Sequence, residues 1–280
     1  MPRPIPHFGP PTVHFDLNTE SSQATDLIGW WPPLASRGMN TLRDRSSMSI
    51  HGAFVGNPTW QAIQQQGWCL DFNGAADYIN CSDSPQWDAS DDLTVALWVH
   101  PDARVGFETV AGRWDEPPNP NNRVWAITFT NLDAIRFDTS DTGLFIGGNA
   151  AVTGNNVLTN GVWNHIVCVH DSGATTNTVY VNGISQAIAA GATAGLLDTD
   201  IPLHLAHSIL FGGFATFYDG RLGDVRISNR PFAFPEVLDL LKQPWDLYKT
   251  PMVPRARSPL AFLAERGVLR GAWRGIMRGM

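Results

Sequence analysis

Trp68-Cys69-Leu70-Asp71-Phe72-Asn73-Gly74, followed by Asp77-Tyr78-Ile79-Asn80-Cys81, is the stretch on which the fold turns. Apolar and polar residues alternate through the first part, the period of a strand with one buried face. Asn73-Gly74 then reverses the chain, because both residues tolerate the positive φ of a tight turn. The alternation resumes from Asp77, so the segment reads as a hairpin with Cys69 and Cys81 facing each other. In a reducing compartment free, buried thiols are expected there rather than a disulfide.

Similar signals continue on both sides. Leu27-Ile28-Gly29-Trp30-Trp31 is stopped by Pro32-Pro33, and the apolar run 93–99 ends at Pro101. Further strands are expected over 124–130, 134–137, 163–170 and 223–228. Thr178-Val179-Tyr180-Val181 runs into Asn182-Gly183, the strongest two-residue hairpin signal. Trp98 and Trp163 are expected between two sheets, and the alternation over 165–170 predicts one inward face. A helix is predicted over 234–241, with Pro235 and Glu236 in its first turn. Many short strands with turn chemistry between them predict an all-β, two-sheet antiparallel sandwich or jelly roll, not an α/β fold.

Composition agrees. The 280 residues are 43% hydrophobic and only 16% charged. Asp outnumbers Glu 21 to 5, and Arg outnumbers Lys 17 to 2. Asp favours turns and caps, whereas Glu and Lys populate helix surfaces. No CxxC pair or zinc spacing occurs among the three cysteines and eight histidines. The N-terminus lacks the apolar core of a secretion signal, and no run approaches the ~18 apolar residues of a membrane span. The expectation is a soluble protein made in a cytosol.

Three regions are expected: a proline-rich arm over 1–26, the sandwich over 27–248, and a basic tail over 249–280. The tail holds seven basic residues and one acid, a net of +6 in a chain of −7, which leaves −13 for residues 1–248. So acidic a body should repel nucleic acid. Within the tail, Arg266, Arg270, Arg274 and Arg278 each precede a glycine, with Trp273 and aliphatic residues between them. Each glycine costs a helix about 1 kcal/mol relative to Ala, so the segment should order only against a partner. Acidic bodies of neighbouring copies are the expected partners. An anionic membrane surface or nucleic acid fits less well, because the tail lacks Lys beyond Lys249.

Five stretches, in order, resemble the laminin-G-like branch of the concanavalin A-like lectin/glucanase superfamily. They are Gly29-Trp30-Trp31-Pro32; Leu70 to Gly74 with Asp77-Tyr78-Ile79; Leu93 to Val99; Gly161 to Val167 with Val179 to Gly183; and Tyr218 to Arg230. The resemblance implies a two-sheet jelly roll over roughly 27–243. Residues 244–248 resemble an extension of such domains in phage and environmental bacterial proteins. The superfamily's glucanases share an alternating Glu-x-Asp-x-Glu strand that is missing here, and the five Glu are scattered, so catalysis is not expected.

Sugar binding needs an aromatic platform beside amides and carboxylates. The proline-rich stretch 113–123 offers Trp114, Asp115, Asn121 and Arg123, with Trp114 either exposed to a ligand or covering the sandwich edge. Loop aspartates of this fold often bind calcium, which makes Asp219 and Asp224 candidate ligands. A displayed jelly roll without a secretion signal is reconciled by a phage particle, built in the host cytoplasm and released by lysis. The leading expectation is therefore a virion component, a capsid decoration or tail-fibre protein. Its terminal arms would anchor it to copies of itself and to other virion proteins, and its jelly roll could hold a host-surface glycan. A lectin-like module of a bacterial surface protein is the alternative, and a glycoside hydrolase the third reading.

Overall fold

The computed structural model describes residues 15–34, 40–63, 67–88, 90–102, 106–115, 122–145, 148–210 and 214–249. The first seven strands are β1 (Asp16–Leu17), β2 (Leu27–Trp31), β3 (Thr41–Leu42), β4 (Gly52–Val55), β5 (Thr59–Ile63), β6 (Gly67–Asn73) and β7 (Tyr78–Asn80). Next come β8 (Leu93–Pro101), β9 (Glu108–Asp115), β10 (Asn122–Phe129), β11 (Ile135–Thr139), β12 (Ala151–Val152), β13 (Asn164–Asp171) and β14 (Thr176–Val181). The last described elements are β15 (Ile184–Ala190), β16 (His204–Leu205), β17 (His207–Leu210), β18 (Phe214–Phe217), β19 (Asp219–Ser228), helix α1 (Phe234–Lys242) and β20 (Tyr248–Lys249).

Two antiparallel sheets face each other. One runs β12-β11-β10-β9-β16-β7-β4-β3 and the other β15-β14-β13-β8-β19-β6-β5. The ten residues of β19 hold β6 along their first part and β2 along their last, with β8 on the other edge. Residues from both inner faces form the core: Trp31, Leu70, Leu97, Val99, Ile166 and Cys168 from the second sheet, Ile79, Ile127, Phe129 and Phe137 from the first. At roughly 25 cal/mol per Å² of apolar surface buried, this seam is the main source of stability. No helix among the described residues is long and apolar enough to cross a membrane.

The deciding stretch folds differently from the hairpin expected of it. β6 pairs with β5 and β19, whereas β7 pairs with β4 and β16, so Asn73-Gly74 carries the chain from one sheet to the other. Gly74 takes the positive φ of 65°, and the Asn73 Oδ1 accepts the N–H groups of Ala75, Ala76 and Asp77. Alternation reports that a strand has two faces, not which sheet it joins. Cys69 and Cys81 accordingly lie in different layers, and they and Cys168 are free and buried. Asn182-Gly183 does make the expected hairpin: φ is 52° and 76°, and Val181 pairs with Ile184.

The second sheet is covered on both faces. Ile166 and Cys168 point into the sandwich, while Val167 and Val169 pack outward against Phe232, Val237 and Leu240 at α1. Trp98 is buried on that outer side, its ring 4.8 Å from His165, and Trp163 is half-buried against His100. Neither tryptophan belongs to the core between the sheets, a correction with the same cause.

The expected arm starts to pack well before residue 27. β1 pairs with β20, and Phe15 lies against Trp30 and Tyr248 at 5.5 and 4.4 Å. Beneath them, Arg226 binds the Asp224 carboxylate (2.6 Å), the Gln23 side chain and the Pro244 carbonyl, tying both ends of the domain to β19. Residues 1–14 and 250–280, with Arg266, Arg270, Trp273, Arg274 and Arg278, lie outside the described residues.

Candidate functional site

β9 runs on through Arg113 to Asp115, into the proline-rich stretch 113–123. Arg113 is 1% exposed and held by Asp88 (2.6 Å), Asp83 (3.2 Å) and the carbonyls of Thr199 and Ile201. A buried arginine with that many acceptors anchors the strand, and the sequence gave no sign of partners so far along the chain.

Trp114 follows, only 4% exposed, so it is no open platform. It packs on Ala126, with the Arg123 guanidinium 5.9 Å from its ring and Phe145 edge-on at 6.4 Å. Trp114 and Arg123 meet because they are register partners across β9 and β10, as Asp115 and Asn122 are. Burial raises the Asp115 carboxyl above its ordinary range, and its Oδ1 and the Trp114 Nε1 are buried with no hydrogen-bond partner among the described residues. Three of the four expected sugar-site residues thus come together, but as packing at the sheet end. Asn121 lies outside the described residues.

Asp219 and Asp224 do not form a calcium site. Five steps of strand separate them by about 17 Å, and both Asp224 oxygens are engaged, by Trp30 Nε1 (2.8 Å) and Arg226. Asp219 has its carboxyl raised by burial, then by Asp102 and Asp71. Among the described residues no three His, Cys, Asp or Glu side chains gather as a metal would need.

An open cleft of about 250 Å³ lies beside the sheet-crossing turn, lined by Asn57, Thr59, Asp71, Phe72, Asn73 and Asp77. The turn after β4 supplies Asn57, β5 supplies Thr59, and β6 and its turn supply the rest. Asp77 is buried and accepts the Asn57 N–H at 2.7 Å, which locks one turn to the other. Gly56 makes that approach possible: a Cβ there would lie 2.4 Å from Asp77 Oδ1. Asp71 is half-exposed and pairs with Arg221 at 3.4 Å. Asn73, whose Oδ1 caps the turn, and the exposed Asn57 complete the lining. The wall offers carboxylates, amides and a hydroxyl above the buried Phe72, the groups that read sugar hydroxyls. In the sequence Asp71, Asn73 and Asp77 are legible only as fold markers, and no local pattern brings Asn57 and Thr59 to them.

Next to Asp77, the Tyr78 ring stacks on His207 (4.6 Å), with His204 edge-on at 5.2 Å and Phe217 against His207 at 4.7 Å. Burial lowers both histidines to about 4, His204 also through the neighbouring His207.

A family model described as the concanavalin A-like lectin/glucanases superfamily, of laminin-G type, matches residues 73–237. No curated protein matches the chain. Among solved structures, the binding domain of Paraclostridial Mosquitocidal Protein 1 is similar at TM-score 0.59 and 14% identity, over 79% of this chain and 52% of that one. The binding domain of Botulinum Neurotoxin DC, in complex with SialylT, is similar at 0.59 and 11%, over 79% and 52%. Domain 4 of AbnA, a GH43 extracellular arabinanase from Geobacillus stearothermophilus, in complex with arabinotriose, is similar at 0.54 and 16%, over 77% and 98%. The chain thus spans about half the length of the toxin binding domains. These likenesses show a shared jelly-roll fold.

Proposed function

The chain belongs to the concanavalin A-like lectin/glucanases superfamily, and from that premise we propose that it is a non-catalytic saccharide-binding protein whose binding cleft is the one at Asp71, Asn73 and Asp77. The observation that carries this reading is that cleft: hydroxyl-reading groups held rigidly at the end of a lectin-type sandwich. Of its two carboxylates, Asp77 is buried and tied to the Asn57 N–H, which leaves half-exposed Asp71, beside Arg221, as the one to meet a sugar hydroxyl. The bound arabinotriose and SialylT named for two of the similar structures support a sugar ligand.

The test is a glycan array followed by calorimetry. Wild-type protein should bind a saccharide, and Asp71→Ala, at a half-exposed site, should weaken it about tenfold or more while the protein stays folded. Retention of full affinity in that variant, or binding to no saccharide at all, would overturn the reading.

The setting we propose is a phage particle, with the jelly roll displayed and the basic tail seated on acidic bodies of neighbouring copies. Support for the contact between tail and neighbouring body is the charge division between a body of −13 and a tail of +6. Light scattering should find an oligomer for the full chain and a monomer after deletion of residues 255–280. Equal masses would refute the anchoring role.

A further inference from the structure

A second cleft, about 300 Å³, opens where the segment after β3 passes β1. Its chemistry is the reverse of the first. Arg43 and Arg45 line it with Ser49 and His51, against Asp16 and the face of Phe15. The Arg45 guanidinium lies 5.5 Å from the Phe15 ring centroid. Neither arginine forms an ion pair among the described residues, and Arg45 Nε is buried with no acceptor. The nearby Asp44 cannot serve them: its two oxygens already accept from the backbone of Trp30, Ser46 and Ile50 and from the Ser46 hydroxyl, all at 2.8–2.9 Å.

Those same bonds hold the rim rigid, and the Arg45 N–H is fixed to the Trp30 carbonyl at 2.7 Å. Because His51 Nδ1 accepts the Asp44 N–H, the neutral imidazole carries its proton on Nε2 and is a further donor. Burial first, and then the neighbouring Arg43, lower Arg45 from its ordinary value, with Tyr248 acting the other way. Asp16 and Asp44 both line the cleft, but Asp44 has its oxygens filled by the chain itself, so two guanidiniums, an imidazole N–H and a hydroxyl face one open carboxylate, Asp16, and donors outnumber open acceptors. Planar oxyanions meet such forks bidentately.

We propose that this cleft is a binding site for the anionic group of an acidic saccharide, with Arg43 and Arg45 clamping its carboxylate or sulfate. The sugar ring would lie against Phe15, and Ser49 and His51 would hold its hydroxyls. The inference rests on the saccharide reading above and adds a second site with its own ligand class.

The full-length protein is titrated with a uronate oligosaccharide, a sulfated oligosaccharide and the neutral counterpart of each. The acidic ligands should bind about tenfold or more tightly than the neutral ones. That preference should vanish in Arg43→Ala, an exposed position whose truncation spares the core, and in Arg45→Lys, which keeps the charge but loses the fork. Asp71→Ala should keep it, whereas Arg43→Ala should keep the neutral-sugar binding of the first cleft. Equal affinity for acidic and neutral ligands, or a preference that survives Arg43→Ala, would overturn the proposal and leave the first cleft untouched. A preference for the sulfated ligand alone identifies the anion as sulfate, and for the uronate alone as carboxylate.

Discussion

His165, His204 and His207 share a condition set by their surroundings. His165 lies under Trp98 and is pushed down to about 3, first by burial and then by Arg226. His204 and His207, in the stack with Tyr78, fall to about 4. In the unfolded chain all three take up a proton near 6.5. A depressed folded value means stability that is present above 6.5 and is lost as pH falls towards 4, by about 1.4 kcal/mol per pH unit for a fully buried histidine. Asp115 and Asp138, raised by burial, act in the opposite sense, so a difference isolates the effect. His207→Asn should cost stability at pH 7, and its gap to wild type in urea midpoint should shrink by pH 4.5. A gap independent of pH would show that His207 already titrates normally. None of this was legible in the sequence, where His204 and His207 were only three residues apart. Asn182-Gly183, by contrast, was fully legible, because the turn's φ requirement is local.

At the scale of elements, α1 shows how a nine-residue helix can complete a sandwich. Glu236 accepts the Ala233 N–H (2.9 Å) and pairs with Arg230 (2.7 Å), which fixes the first turn. Val237 and Leu240 then bury against Ala96, Val167 and Val169, the outer face of β8 and β13. Leu240→Ala should therefore lower unfolding stability by about 2–4 kcal/mol, as core truncations do. Lys242→Ala, on the exposed side, should change it by less than about 0.5 kcal/mol. Chemical denaturation of both variants checks this, and equal effects would mean that α1 does not seal the sheet. The helix itself was readable from its spacing and its proline. Its role explains why Ile166-Val167-Cys168-Val169 of β13 is apolar without a break: both faces are covered, one by the facing sheet and one by α1.

Across the whole molecule, the ends of the domain close on each other. β1 and β20 pair, Phe15, Trp30 and Tyr248 pack together, and Arg226 reaches both terminal segments from beneath. Phe15 and Tyr248 thus close the described core at both of its ends. Deleting residues 255–280 should leave the thermal midpoint of the domain within about 2 °C of the full chain under conditions where both are monomeric. A large drop would place the tail in the fold instead of at a partner.

The sequence by itself determined the all-β class, most strands, the helix and the Asn182-Gly183 hairpin. Period, turn residues and capping act over a few neighbouring positions, so they can be read locally. It also carried the superfamily motifs and the charge division between body and tail. Only the tertiary structure decided that Asn73-Gly74 crosses between sheets, that Trp114 is covered, and that Arg113 and Asp224 are spent on buried ion pairs. It alone brought Asn57 and Thr59 to Asp71 and Asp77, and set Arg43 and Arg45 against Phe15. Those outcomes depend on which strand pairs with which and on contacts between residues far apart in the chain, and no local pattern encodes them.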